Sequence, residues 1–179
     1  MASPAAGDEM VVLLDAAHHP CGVLPKSQVH SENTPLHLAF SIYVFDQRAR
    51  FLATRRALAK RTWGGVWSNS CCGHPGPDEE LADAAQRRLS QELGLTALRM
   101  DLVLPDFAYR ATGPDGVCEN EVCPVFVARV EGDPTPDPAE VAEWRWVPWP
   151  DFRRMAEVTP WAISPWAAAQ VPLLPADLP

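Results

Sequence analysis

The chain has 179 residues, 47% of them hydrophobic and 21% charged, which excludes a disordered chain or a coiled coil and suits one domain with its own core. Fifteen Lys and Arg against 23 Asp and Glu give a net charge of -8, a field of the wrong sign for a general nucleic-acid binder or a protein of anionic membranes. No apolar run approaches the roughly 20 residues that span a bilayer.

Met1 to Glu9 reads as a loose tail, with Asp8 and Glu9 but none of the Lys or Arg of a secretory signal. A short strand follows at Met10–Leu14, and His18 and His19 beside Pro20 read as a solvated turn. Leu36–Phe45 is a long β-rich run, Asp46–Ala49 a turn, and Arg50–Arg55 the returning strand. After a Trp/Gly loop and Ser68–Cys72, a Pro/Gly stretch leads to the clearest helix, Glu79–Leu93, with Asp78 as its expected N-cap and Gly94 as its stop. Strands resume at Asp101–Leu104 and Phe107–Arg110, and a turn at Gly113–Gly116 leads into Val117–Val130. A last strand at Glu143–Val147 precedes two helical stretches, Asp151–Glu157 and Ser164–Gln170. The fold class is α/β or α+β, a mixed sheet covered by helices, with the domain over 10–170 and a proline-rich tail over 171–179. Five cysteines, two of them neighbours, make an odd set better suited to a reduced cytoplasmic protein than to a disulfide framework.

Three constellations carry chemistry. On the helix, Leu81, Ala85, Leu89 and Leu93 form one apolar stripe, with Arg88 and Glu92 an i, i+4 pair at its edge. That pair is either a boundary ion pair or a cation and a carboxylate aimed into a cleft, Arg88 toward an anion and Glu92 toward a hard cation. In the segment Cys118–Cys123, a strand would project Glu119 and Glu121 on one face, where two carboxylates need solvent, a shared proton or a cation. His30, His37 and His74 lie near expected strand ends with no fixed spacing. With the two glutamates they would make a five-ligand N/O set suited to Mn²⁺, Mg²⁺ or Zn²⁺, if the fold brings them together.

The run Gly73, Glu79, Arg87-Arg88-Leu89, Gln91-Glu92 and Gly94-Leu95 resembles the Nudix box in nearly every spacing. Two departures matter: Arg88 and Gln91 stand where that box has glutamates, so the resemblance implies diphosphate binding without the usual hydrolytic carboxylates. More specifically, Leu36–Ser41, Thr54–Leu58, Trp67–Pro75, Tyr109–Thr112, Glu119–Pro124 and Thr159–Trp166 run in the order of the type 1 isopentenyl-diphosphate isomerases.

That resemblance implies a Nudix core over about 35–169 and a double-bond shift from isopentenyl to dimethylallyl diphosphate through a tertiary carbocation. It implies Cys72 and Glu121 as the catalytic pair, with Glu121, near Tyr109, as proton donor and Cys72 as base. Trp166 would stabilise the cation. His30, His37, His74, Glu119 and Glu121 would hold Mn²⁺ or Zn²⁺, and Glu92 with the Cys72 carbonyl would hold Mg²⁺ on the substrate. Lys26, Arg56, Lys60 and Arg88 would grip the diphosphate. The expected partner is the small isoprenoid diphosphate, with no nucleic acid or membrane, for a monomer or, as the alternative, a homodimer. Competing readings are a Nudix diphosphate hydrolase, a non-catalytic diphosphate-binding domain, and a Cys/His hydrolase built on Cys72 and His74.

Overall fold

Two runs that read as single strands each divide between two sheets. In the computed structural model, which describes residues 9–178, Leu36–Phe45 becomes β3 (His37–Leu38) and β4 (Phe40–Phe45). Val117–Val130 likewise becomes β10 (Cys118–Val122) and β11 (Val125–Val130). Each pair is parallel, β3 beside β10 and β4 beside β11, so the two breaks lie side by side. Pro124 cannot donate to a ladder, and the Ala39 and Ser41 amides stitch the crossing by donating to the Val122 and Pro124 carbonyls at 2.9 and 3.0 Å.

The remaining strands are β1 (Met10–Leu14), β2 (Pro20–Pro25), β5 (Arg50–Arg56), β6 (Trp67–Ser68), β7 (Cys71–Gly73), β8 (Ala97–Leu104), β9 (Ala108–Thr112) and β12 (Val141–Pro148). The helices are α1 (Lys26–Val29), α2 (Leu81–Leu93), α3 (Trp149–Val158) and α4 (Pro165–Gln170). One sheet runs β2-β1-β3-β10-β9; the other runs β12-β5-β4-β11-β8, with β6 on β5 and β7 on β4. This is the α+β class expected from the sequence.

β4 is buried on both faces, so its alternation divides the interior in two. Phe40, Ile42 and Val44 pack with Ala84, Ala85, Leu89 and Leu93 of α2, while Tyr43 and Phe45 pack with Trp149 and Phe152 of α3 and Trp166 of α4.

Four local expectations need correction. Strand β2 and helix α1 were not legible: β2 is mostly exposed and exists because it pairs with β1. Helix α2 begins at Leu81, not Glu79, and Asp78 does not cap it, having a left-handed φ of 62°. Glu79 instead accepts from Nε and Nη2 of Arg87, at 2.7 and 2.8 Å, and from the Gly76 amide at 2.8 Å. The C-terminal segment does not trail off: Val171 and Leu174 enter the core, and Arg153 donates to the carbonyls of both. These two apolar side chains, three positions apart, outweigh its prolines. At the other end, residues 1–8 of the expected tail lie outside the described residues, while Glu9 is anchored to Lys26. Gly94 does end α2, with a φ of 64° and a donated bond to the Ser90 carbonyl.

Candidate active site

Strand register assembles the first part of the site. His37 on β3 is level with Glu121 on β10, and Glu121 is level with Tyr109 on β9, so three adjacent strands present a base, an acid and a phenol. His74 enters from the end of β7 and His30 from the end of α1. Ligand atoms of His30, His37, His74 and Glu121 all lie within 4.8 Å of one another. Glu121 Oε1 is 3.5 Å from Nε2 of both His37 and His74. Glu119 projects on the same strand face and reaches His30, its Oε2 being 2.8 Å from Nε2, but it stands outside the group of four.

The donor set fits a divalent cation. His37 donates Nδ1–H to the Pro35 carbonyl at 2.9 Å, which leaves the Nε2 lone pair turned inward. His37 Nε2 and both His74 ring nitrogens are buried without a hydrogen-bond partner, and His30 Nε2 and Glu119 Oε2 are buried with only each other in reach. So many orphaned polar atoms at one point are costly unless a cation takes their lone pairs. Burial pushes His74 down to about 4, which keeps it a neutral ligand. Burial would raise Glu121, but the His37 and His74 rings 3.5 Å from it hold it well below the usual carboxylate range. Tyr109 is pushed well up by burial and by the Glu121 and Glu119 carboxylates, so its hydroxyl keeps its proton.

The second part is the thiol. Cys72 on β7 pairs with Ser41 on β4, and its half-buried Sγ lies 3.5 Å from Ser41 Oγ and 3.3 Å from both Asn69 side-chain atoms. Burial pushes Cys72 up to about 11, against the hydrogen bond from Ser41 and the charge of Arg56. Trp166 on α4 donates Nε1–H to Asn69 Oδ1 at 2.8 Å. Its ring neighbours Tyr109, with centroids 6.0 Å apart, and the Arg56 guanidinium, 5.0 Å from the ring centre.

The third part is a nest of charges. Arg88 and Glu92, one helical turn apart on α2, are buried and paired, and Arg88 also reaches Glu140 at 3.3 Å. Lys60 pairs with the same Glu140, and Lys26 with Glu9 at 2.7 Å. Arg56, Lys60, Glu92 and Glu140 line one narrow cleft together with Cys71 and Cys72. The i, i+4 pair is therefore a buried ion pair, with Glu92 lining the cleft.

Every sequence-predicted residue falls in one of these three neighbourhoods. The sequence reading assigned no role to Glu140, Glu9, Asn69 or Ser41. The last two sit inside quoted motifs and could have been singled out; Glu140 follows a Pro-rich loop and Glu9 precedes the first strand, where no local pattern marks a partner.

A NUDIX domain model matches residues 35–167. The chain is 60% identical to the isopentenyl-diphosphate Delta-isomerase of Frankia alni, over 92% of this chain and 84% of that protein. It is 58% identical to the isopentenyl-diphosphate Delta-isomerase of Mycolicibacterium vanbaalenii, over 94% and 92%. Among solved structures, a Deinococcus radiodurans protein aligns with a TM-score of 0.69 at 16% identity, covering 92% of this chain and 98% of that one. A MutT protein from Methanosarcina mazei aligns at 0.61 and 19%, covering 78% and 92%. These two likenesses are of fold alone. By sequence and fold together, the chain belongs to the NUDIX family and, within it, to the isopentenyl-diphosphate Delta-isomerases.

Proposed function

We propose that the chain interconverts isopentenyl and dimethylallyl diphosphate. The observation that carries this reading is one neighbourhood holding a thiol at Cys72, a carboxyl at Glu121 and the Trp166 ring, beside a cleft lined by Arg56 and Lys60. Hydrolysis of a diphosphate needs neither the thiol nor the ring. An unactivated alkene is a very weak base, so its protonation calls for a strong acid in a dry site and a stabilised tertiary cation.

Arg56, Lys60, Arg88 and Lys26 grip the diphosphate, the last three exchanging carboxylate partners for phosphate oxygens. Glu121 in its protonated form gives its proton to the terminal alkene carbon, with the Tyr109 hydroxyl as its hydrogen-bonding neighbour. The Trp166 face stabilises the positive charge, and Cys72 as thiolate takes the allylic proton. The pair carries one proton between them. The step starts with that proton on Glu121, which passes to the terminal carbon, and ends with a different one, from the allylic carbon, on Cys72; exchange with solvent resets the pair. His30, His37, His74 and Glu121, with Glu119, would hold Mn²⁺ or Zn²⁺, and Glu92 with the Cys72 carbonyl would hold Mg²⁺. Bound there, these cations supply Lewis acidity to Glu121 and neutralise phosphate charge. We take the protein to act as a monomer in the cytoplasm. Its five cysteines are unbridged, and no helix among the described residues is long and apolar enough to cross a membrane.

Purified protein with isopentenyl diphosphate, Mg²⁺ and Mn²⁺, followed by NMR in D₂O beside a phosphate-release assay, tests this reading. Dimethylallyl diphosphate carrying solvent deuterium, without phosphate release, is the expected result. Phosphate release without isomerisation means a hydrolase, and silence in both channels means a binding module.

A further inference from the structure

The alternation along β4 turns Ser41 and Tyr43 toward α4, and both are wholly buried despite their hydroxyls. Gln170, at the end of α4, is equally buried. Their hydrogen bonds form a chain. The Tyr43 hydroxyl donates to Gln170 Oε1 at 3.0 Å, and Gln170 Nε2 donates to Ser41 Oγ at 3.0 Å. Ser41 Oγ then lies 3.5 Å from Cys72 Sγ and 3.3 Å from Cys123 Sγ.

A hydroxyl has one proton and two lone pairs. With Gln170 donating to a lone pair, the Ser41 proton is left for sulfur. Of the two sulfurs, that of Cys123 is sealed in the core, whereas Cys72 lines the cleft. Asn69, the other polar neighbour of Cys72 at 3.3 Å, shares its groups with four further partners. Its amide protons go to the Ile42 and Cys71 carbonyls at 3.2 and 2.8 Å. Its Oδ1 receives the Trp166 indole and the Ser68 hydroxyl, each at 2.8 Å. Three polar side chains are thus placed in an apolar interior, at a desolvation cost, in a line that ends at the thiol.

Building on the reading of Cys72 as the proton-accepting group, we propose that Ser41 is a positioning residue for it. The Ser41 hydroxyl, braced by Gln170 and through it by Tyr43, holds the Cys72 sulfur in the rotamer that faces the allylic carbon. Trp166 and Gln170 are one turn apart on α4, so that helix sets the ring through Asn69 and the sulfur through Ser41 together.

The test compares Ser41→Ala, Ser41→Thr, Gln170→Met and Cys72→Ala, each with ordinary and allylic-deuterated isopentenyl diphosphate. Misplacing the sulfur slows proton removal, so Ser41→Ala should lose roughly 10- to 100-fold in kcat with KM unchanged and show a larger deuterium isotope effect. Gln170→Met should shift both in the same direction, the double variant should be no worse than Ser41→Ala, and Ser41→Thr should recover most of kcat. A Ser41→Ala kcat and isotope effect equal to wild type, with Cys72→Ala inactive, overturns the positioning role and leaves the Cys72 assignment standing. A fall in kcat with an unchanged isotope effect also overturns it, as a loss of folded enzyme. Turnover by Cys72→Ala removes the reading on which the proposal rests. Should Ser41→Ala fail to fold, Gln170→Met decides by the same two readouts.

Discussion

Gly73 separates Cys72 from His74, and replacing it with Ala tests how tightly the thiol, the metal ligands and the anion site are packed together. A Cβ at this position would lie 2.7 Å from Arg88 Cγ and 2.8 Å from Phe40 Cζ, about 1 Å inside ordinary carbon–carbon contact. Phe40 is fully buried against α2, and the Arg88 head is pinned by Glu92 and Glu140, so neither can move away freely. Overpacking of this kind costs about 1–3 kcal/mol. In a chain of this size each kcal/mol lowers Tm by roughly 2–4 °C. If β7 gives way instead, Cys72 and His74 shift with it, and a displacement of about 1 Å at a reacting group can remove roughly 100-fold in rate. Thermal unfolding and kcat/KM for isopentenyl diphosphate measure the two routes of relief. A Gly73→Ala protein with unchanged Tm and unchanged kcat/KM would refute the reasoning, because it would mean that β7 has slack and that Arg88 is not seated by this glycine.

Cys72→Ala and Glu121→Gln should each abolish formation of dimethylallyl diphosphate while leaving circular dichroism intact; near-normal turnover by either removes that residue from the catalytic pair. Chelation with EDTA should inactivate the protein and added Mn²⁺ with Mg²⁺ restore it, whereas full activity in metal-free protein would refute the His/Glu centre. Leu89→Ala, at a fully buried position against β4, should lower unfolding free energy by about 2–5 kcal/mol in urea titrations; a loss under about 1 kcal/mol would contradict the packing described. The Glu79 carboxyl is held below its ordinary value of 4.5 by Arg87 and the Gly76 amide. Its stabilising effect is therefore present above that value and lost as pH falls through the lowered one. The stability gap between wild type and Glu79→Gln should be seen at pH 7 and close in acid, and a gap independent of pH would exclude the carboxylate as its source.

Arg88 shows how a family spacing can be kept while its chemistry changes. Where the Nudix box has a glutamate, this chain buries a guanidinium between Glu92 and Glu140. Removing one partner of such a pair leaves a buried charge uncompensated, so the arrangement makes sense where an anion enters to share the cation.

The local pattern alone determined a good deal about this protein. The stripe Leu81, Ala85, Leu89 and Leu93 and the stop at Gly94 gave α2, because helical periodicity and a left-handed cap are properties of neighbouring residues. The motif residues Cys72, Glu121, His37 and Trp166 were legible because they sit in dense, ordered matches. Tertiary structure alone decided the rest, for reasons of register and distance. β2 is held by its pairing with β1, and the C-terminal segment is held by Val171 and Leu174 entering a core made elsewhere in the chain. His30, His37 and His74 become one ligand group only when α1, β3 and β7 meet over β10, since no spacing along the chain relates them. Glu140 pairs with Lys60 and Arg88 across 80 and 52 positions of sequence. Ion pairs, metal ligands and the hydrogen bonds behind Cys72 act over a few ångströms between distant segments, so the closing of the sheets creates them.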